Sequence, residues 1–133
     1  MIICFVGLYT TTNSAFPILL AAACTLAGYV LAKLGYSAIV LEGRPTSNDL
    51  YKVFINKDGV KIAKDNSLKM LPNYDLVEKM KKEYGDKISC ISIGPAGENL
   101  SRIAAIMNDG QRALARGGPG AVMGSKNLKA IVV

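Results

Sequence analysis

The chain has 133 residues, about one domain's worth, with half of them hydrophobic and a fifth charged. That balance excludes a disordered chain and leaves enough apolar surface for a core. Sixteen basic residues against ten acidic ones give a formal net charge of +6, which favours an anionic partner: phosphate, nucleic acid, an acidic protein or a membrane surface. There is no histidine, and the three cysteines, Cys4, Cys24 and Cys90, stand apart among apolar residues without a CxxC pair. This excludes most zinc sites, histidine-based triads, a self-contained iron–sulfur site and a disulfide framework. The cysteines read as small buried hydrophobes in a reducing, cytoplasmic compartment.

Ile2 to Tyr9 is an apolar, β-rich run that predicts an internal strand. Asn13 or Ser14 is placed to cap a following helix, with Pro17 in its first turn. From Ile18 to Leu34 alanine and leucine occupy nearly every face, so this helix should be buried, and Gly35 follows it as a C-cap. The same stretch is the one membrane candidate. It is short for a span, holds Gly28 and Lys33, and reads better as a core helix. No basic segment precedes the first apolar run, as a signal peptide requires. Ser37 to Leu41 predicts a short buried strand, and Arg44 to Asp49 a polar loop.

Leu50 to Ile55 and Val60 to Ala63 alternate around Lys57-Asp58-Gly59, the clearest hairpin signal in the chain, and its lysines point to a surface feature. Asn73 or Asp75 should cap an amphipathic helix that buries Leu76, Val77 and Met80, reaches Tyr84 and ends at Gly85. Lys87 to Ile93 predicts a buried strand. Gly94 to Asn99 reads as a tight turn, Leu100 to Met107 as a helix broken by Asn108-Asp109-Gly110, Arg112 to Gly124 as a glycine-rich, basic segment, and Leu128 to Val133 as an apolar strand. A strand that runs to the last residue is the pattern of one piece of a longer chain.

Three segments carry chemistry. Glycines in Gly94–Asn99, between a strand and a helix, let backbone amides approach an anion, although a plain turn has the same composition. In Arg112-Ala113-Leu114-Ala115-Arg116-Gly117-Gly118-Pro119-Gly120 two guanidinium groups flank small residues that cannot block a ligand. Arginine takes phosphate oxygens two at a time, so a phosphate or nucleotide-like ligand fits better than RNA, for which no stacking aromatic is present; a structural loop with surface arginines is the alternative. Gly124-Ser125-Lys126-Asn127 is an anion-binding turn or only a turn.

Taken in order, three runs closely resemble the aldehyde ferredoxin oxidoreductase family: Ile93-Gly94-Pro95-Ala96-Gly97-Glu98-Asn99-Leu100, Ala104-Ala105-Ile106-Met107-Asn108-Asp109-Gly110, and the stretch from Arg116 to Ile131. Leu34-Gly35-Tyr36-Ser37-Ala38-Ile39-Val40-Leu41-Glu42-Gly43 is similar to the family's AGYDAIVVEG segment. The resemblance runs from about residue 28 to 133 and is most specific in its last forty positions.

The resemblance implies an α+β fold in a single domain over residues 1–133, a β-rich base with a few packed helices on which a tungsten or molybdenum bis-pyranopterin cofactor lies. It implies that Arg112 lies along the pterin, that the Ala113 backbone carbonyl helps hold a magnesium ion bridging the pterin phosphates, and that Arg116, Gly117 and Gly118 form the turn beside them. It assigns no catalytic acid or base here. In the family a [4Fe–4S] cluster and the substrate channel belong to further domains; this chain has no cysteines of the required spacing for the cluster. Remaining domains or a partner subunit, ferredoxin as electron acceptor, and self-association in a homo-oligomer are the partners to expect, with neither nucleic acid nor membrane. The family's GGRY, KSPLTG and NSGG motifs are not recognisable upstream, where Phe5-Val6-Gly7-Leu8-Tyr9 and Ala21-Ala22-Ala23-Cys24 stand. Two functions follow: a partial or split oxidoreductase domain, inactive alone, or a non-catalytic relative whose basic glycine-rich face binds another anion or a protein.

Overall fold

A computed structural model describes residues 3–5, 26–36, 39–43 and 45–133. The expected cap at Asn13 or Ser14, the start of the first helix and the departures from the family pattern before Leu26 lie outside the described residues, save for Ile3–Phe5. Strands β1 (Ile3–Phe5) and β2 (Val40–Glu42) pair antiparallel in a two-stranded sheet. Six more strands, β3 (Tyr51–Asn56), β4 (Gly59–Lys64), β5 (Cys90–Ser92), β6 (Ile106–Asn108), β7 (Arg112–Leu114) and β8 (Leu128–Val132), form one sheet in the order β4-β3-β8-β5-β6-β7. Among the described residues only β3 and β8 run parallel; every other pairing is antiparallel. With helices packed on a mixed sheet, the fold is α+β, as the sequence implied.

β8 is buried along its whole length because it lies in the middle of the sheet and both its faces are covered. On one face Val53, Ile55, Ile91, Ile93, Ile106 and Ile131 meet Ala27 and Leu31 of α1 (Leu26–Lys33). On the other, Cys90, Ala130 and Val132 meet Leu76, Val77 and Met80 of α2 (Asn73–Tyr84). Strands β3, β5 and β8 feed both cores through the two-residue alternation of their side chains.

Helix α1 ends as expected. Gly35 sits at φ 82° while its amide and that of Tyr36 bond the carbonyls of Ala32 and Leu31, both at 3.0 Å, the paired bonds of a Schellman stop. Helix α2 buries the three expected residues and ends at Gly85, φ 96°. Its cap differs: Pro72 takes the N-cap without a side-chain bond, and Asn73, the first helical residue, instead accepts from Ser92 Oγ at 3.0 Å, tying the helix to β5.

The hairpin β3–β4 forms around Lys57 and Asp58. It is more than a surface feature, because β3 is interior and its Lys52 is buried. Lys52 Nζ reaches Glu83 of α2 at 2.6 Å and Asp65 at 3.0 Å, beside the stacked rings of Phe54 and Tyr84. The predicted helix over Leu100–Met107 is absent. A one-turn helix, α3 (Pro95–Glu98), closes when Leu100 adopts φ 56° and the Leu100 and Ser101 amides return to Gly97 and Ala96. Ile106 to Asn108 then joins the sheet, where pairing on both sides overrides the helical spacing. The glycine-rich segment contains β7 and helix α4 (Pro119–Ser125).

Candidate functional site

The site predicted from sequence is built by the β6–β7 hairpin and the turn after it. Asp109 and Gly110 take φ 50° and 70°, and the Gln111 amide bonds the Asn108 carbonyl at 3.1 Å. This tight Asp-Gly turn folds β7 back on β6, where the sequence reading saw only a helix breaker. β7 is the end strand of the sheet, so the outward backbone groups of Ala113 have no strand partner among the described residues. Arg112 and Ala113 are exposed.

After β7 the Gly118 amide bonds the Ala115 carbonyl at 3.3 Å, with Gly117 at φ 86°. The third residue of such a turn needs a positive φ, which favours glycine. Arg116 and Gly117 are exposed at its tip, and a side chain built at Gly117 would meet nothing within 4 Å. Arg102, Arg112 and Arg116 make no ion pair among the described residues. The structure thus brings Arg112, Ala113, Arg116 and Gly117 onto one exposed stretch at the sheet edge.

Gly118 is placed differently. It is buried at φ 67°, and a Cβ there would collide with the carbonyl oxygen of Arg102. Gly120 would set a Cβ 2.6 Å from the Ala105 carbonyl oxygen, and Gly124 would drive one into the carbonyl of Gly97. Gly97 is itself hemmed in by Ile93 and by the Gly120 carbonyl. Gly97 and Gly124 thus let α3 and α4 touch backbone to backbone, and Gly118 and Gly120 let the start of α4 lie against the backbone of Arg102, Ala104 and Ala105.

The other two candidate segments have structural duties. Glu98, at the end of α3, accepts the Met70 amide at 3.0 Å and Lys129 Nζ at 2.5 Å, while Lys129 also donates to the Leu71 carbonyl at 2.8 Å. Lys129 is fully buried at a bulge: Leu128 pairs with Tyr51 and Ala130 with Lys52, leaving Lys129 as the extra residue. Such a bulge re-aims a side chain out of the strand's alternation. Burial holds its ammonium below the usual lysine range, against the opposing pull of Glu98. Sequence reasoning missed this pair; its signal is a lysine inside an otherwise apolar strand. In the Gly124–Asn127 segment, Lys126 donates to the Gly43 carbonyl at 3.1 Å and Asn127 Nδ2 to the Ser47 carbonyl at 2.8 Å, fastening the loop after β2.

No cluster of three or more histidine, cysteine or carboxylate side chains able to hold a metal occurs among the described residues. Cys90 is buried, its thiol pushed up to about 12 by burial and by the charge of Asp109, and so unsuited to ligation or nucleophilic work. Among the described residues no helix is long and apolar enough to cross a membrane.

Residues 8–133 match the family described as aldehyde ferredoxin oxidoreductase, N-terminal domain. The chain belongs to the aldehyde ferredoxin oxidoreductase family. The tungsten-containing aldehyde ferredoxin oxidoreductase of Pyrococcus horikoshii is 47% identical over 110 residues, covering 80% of this chain and 18% of that protein. The Thermococcus kodakarensis enzyme of the same name is 48% identical over 110 residues, with the same coverage. The aliphatic sulfonate oxidoreductase, WOR-like subunit, of Pyrococcus furiosus is 36% identical over 118 residues, 79% of this chain and 19% of that one. Among solved structures, the active site complex BamBC of benzoyl coenzyme A reductase, in complex with 1,5-dienoyl-CoA, superposes with a TM-score of 0.74 at 35% identity, over 82% of this chain and 16% of that one. The chain thus spans less than a fifth of the length of the curated relatives it matches.

Proposed function

We propose that this chain forms the base of a tungsten-pterin site, with molybdenum as the alternative metal, in an oxidoreductase that oxidises an aldehyde to a carboxylic acid and passes the electrons to ferredoxin in the cytoplasm. The observation that carries the reading is the pair of exposed arginines, Arg112 and Arg116, on either side of Ala113 at the sheet edge, without ion pairs among the described residues. These residues fit the group. A pterin phosphate would accept from guanidinium donors, and a magnesium ion would take hard oxygen ligands such as the backbone carbonyl of Ala113, which has no strand partner among the described residues. The open space at Gly117 leaves the turn clear for close approach. When bound, the cofactor supplies the two-electron redox chemistry.

In this reading Arg112 and Arg116 bind and orient the phosphates, Ala113 offers its carbonyl to magnesium, and Gly117 and Gly118 shape the turn. Gly118 acts by holding the turn against Arg102, since it is buried. No residue here moves a proton, and the cluster, substrate channel and remaining pterin contacts belong to further domains or a partner subunit. The chain alone therefore turns over no aldehyde. Co-expression with the remaining portion of such an enzyme, followed by metal and pterin analysis, tests this. Tungsten or molybdenum should be retained with the unaltered chain and fall at least tenfold when Arg112 and Arg116 both become alanine. Metal retention indifferent to both arginines would overturn it. The second reading, a non-catalytic relative that binds another anion or a protein partner on the same basic face, draws on the unrecognised GGRY and NSGG motifs; it requires anion binding by these arginines with no metal under any co-expression.

A further inference from the structure

The corner where β5, β6 and the Asp109 turn meet contains one polar side-chain atom without a hydrogen-bond partner among the described residues. Asp109 Oδ1 accepts the Cys90 amide at 2.6 Å, and its Oδ2 accepts Ser89 Oγ at 3.1 Å together with Asn108 Nδ2. These bonds settle how the Asn108 amide is turned, since flipping it would set its carbonyl oxygen against the carboxylate. Asn108 Oδ1 is left over. It is buried and has no hydrogen-bond partner among the described residues, in a residue that is 2% exposed. Buried acceptors are nearly always satisfied, so an orphan beside a binding face asks for an explanation. Directly across the strand pair stands Arg112. Opposed residues share a face, with Cβ atoms about 5 Å apart. Arg112 itself is exposed, and its guanidinium has no ion pair among the described residues.

We propose that Asn108 is a positioning residue for Arg112: when an anion occupies the arginine-bearing edge, the guanidinium donates one N–H to Asn108 Oδ1 and keeps its remaining donors for the anion. The inference rests on the anion-binding reading of Arg112 given above. A guanidinium has five donors in a rigid fork, enough to bond inward along one edge while another meets two phosphate oxygens. Asn108 is anchored through Nδ2 to a carboxylate that is itself held by the backbone of β5, so it offers a fixed acceptor to a flexible side chain. Because Oδ1 is unsatisfied without the anion and would be satisfied with it, the bond favours the bound state and offsets part of the cost of ordering the Arg112 side chain there.

The test titrates the full chain with inorganic pyrophosphate by calorimetry while nitrogen-edited NMR follows the Arg112 Nε–H. On binding, exchange of that proton with water should slow about tenfold. Asn108→Leu should abolish the slowing and weaken pyrophosphate binding roughly fivefold, yet change affinity by less than about twofold in an Arg112→Ala background, because the two residues act as a coupled pair. Asn108→Ser, which is too short to reach the guanidinium, should repeat the pattern if the leucine variant fails to fold. Equal weakening in both backgrounds would mean a general structural effect and overturn the proposal. Pyrophosphate binding that needs Arg112 but ignores Asn108 would overturn this inference while leaving the anion-binding reading intact; no binding by the unaltered chain would overturn both.

Discussion

Gly124 and Gly117 belong to one glycine-rich segment and have opposite surroundings. Around Gly124, α4 is pressed against α3 so closely that a methyl group would enter the Gly97 carbonyl, and Glu98 and Lys129 lock the same contact from beneath. Around Gly117 there is open space, flanked by exposed arginines with no ion pairs among the described residues. The first region is a closed joint that fixes where the second stands, and the second is a surface that no described residue covers. Glycine content alone signals both, since the residue permits close approach whether what approaches is backbone or ligand.

The contrast can be broken at its strongest point first. Glu98→Ala removes the carboxylate from a fully buried ammonium and should cost about 3–5 kcal/mol in urea unfolding; a loss below about 1 kcal/mol would mean that α3 is not locked by this pair. Next in size, Gly124→Ala should cost about 2–3 kcal/mol, because the obstacle is backbone and cannot rotate aside. Gly117→Ala should cost only about 1 kcal/mol, the strain of a positive φ with no collision. A ranking of Gly117→Ala above Gly124→Ala would erase the distinction between joint and open face.

The smallest effect concerns acid. Hydrogen bonds from Asn66, then Lys64 and Ser47, draw the Asp49 carboxyl down to about 2. Burial pushes Asp65 up, but bonds from Ser67 and Lys52 outweigh it and leave its carboxyl lowered as well. A carboxylate whose folded pKa is depressed stabilises the fold fully above its unfolded value, 3.8 for both groups, and loses that contribution as pH falls through the folded one. Thermal unfolding followed from pH 6 downward should therefore show a Tm that starts to fall near pH 4, and Asp65→Asn should flatten the slope. An unchanged slope in that variant would remove Asp65 from the account.

Much of the fold was legible because local patterns and tertiary packing agree. The Lys57-Asp58-Gly59 hairpin, the Leu76, Val77 and Met80 face of α2, the stops at Gly35 and Gly85 and the apolar run of β8 all follow from periodicity and glycine chemistry. Reading failed where they disagree. Leu100–Met107 has helical spacing, but sheet pairing on both sides claims Ile106–Asn108. The Asp109-Gly110 turn, equal in type to a hairpin signal, was obscured by the apolar run before it. In the candidate site, the arginines and the small residues between them were visible by type, since guanidinium chemistry belongs to the residue itself.

The sequence by itself determined the family, the basic glycine-rich segment and the absence of histidine and paired cysteines, because those are properties of residues and of their order. Only the tertiary structure decided which glycines of the glycine-rich segment are sealed and which is open, that Lys129 is buried against Glu98, and that Asn108 Oδ1 stands across from Arg112 without a partner among the described residues. Each of these depends on atoms brought together from distant or opposing strands and turns. A van der Waals collision, a desolvated charge and an unsatisfied acceptor exist only once the chain has folded around them.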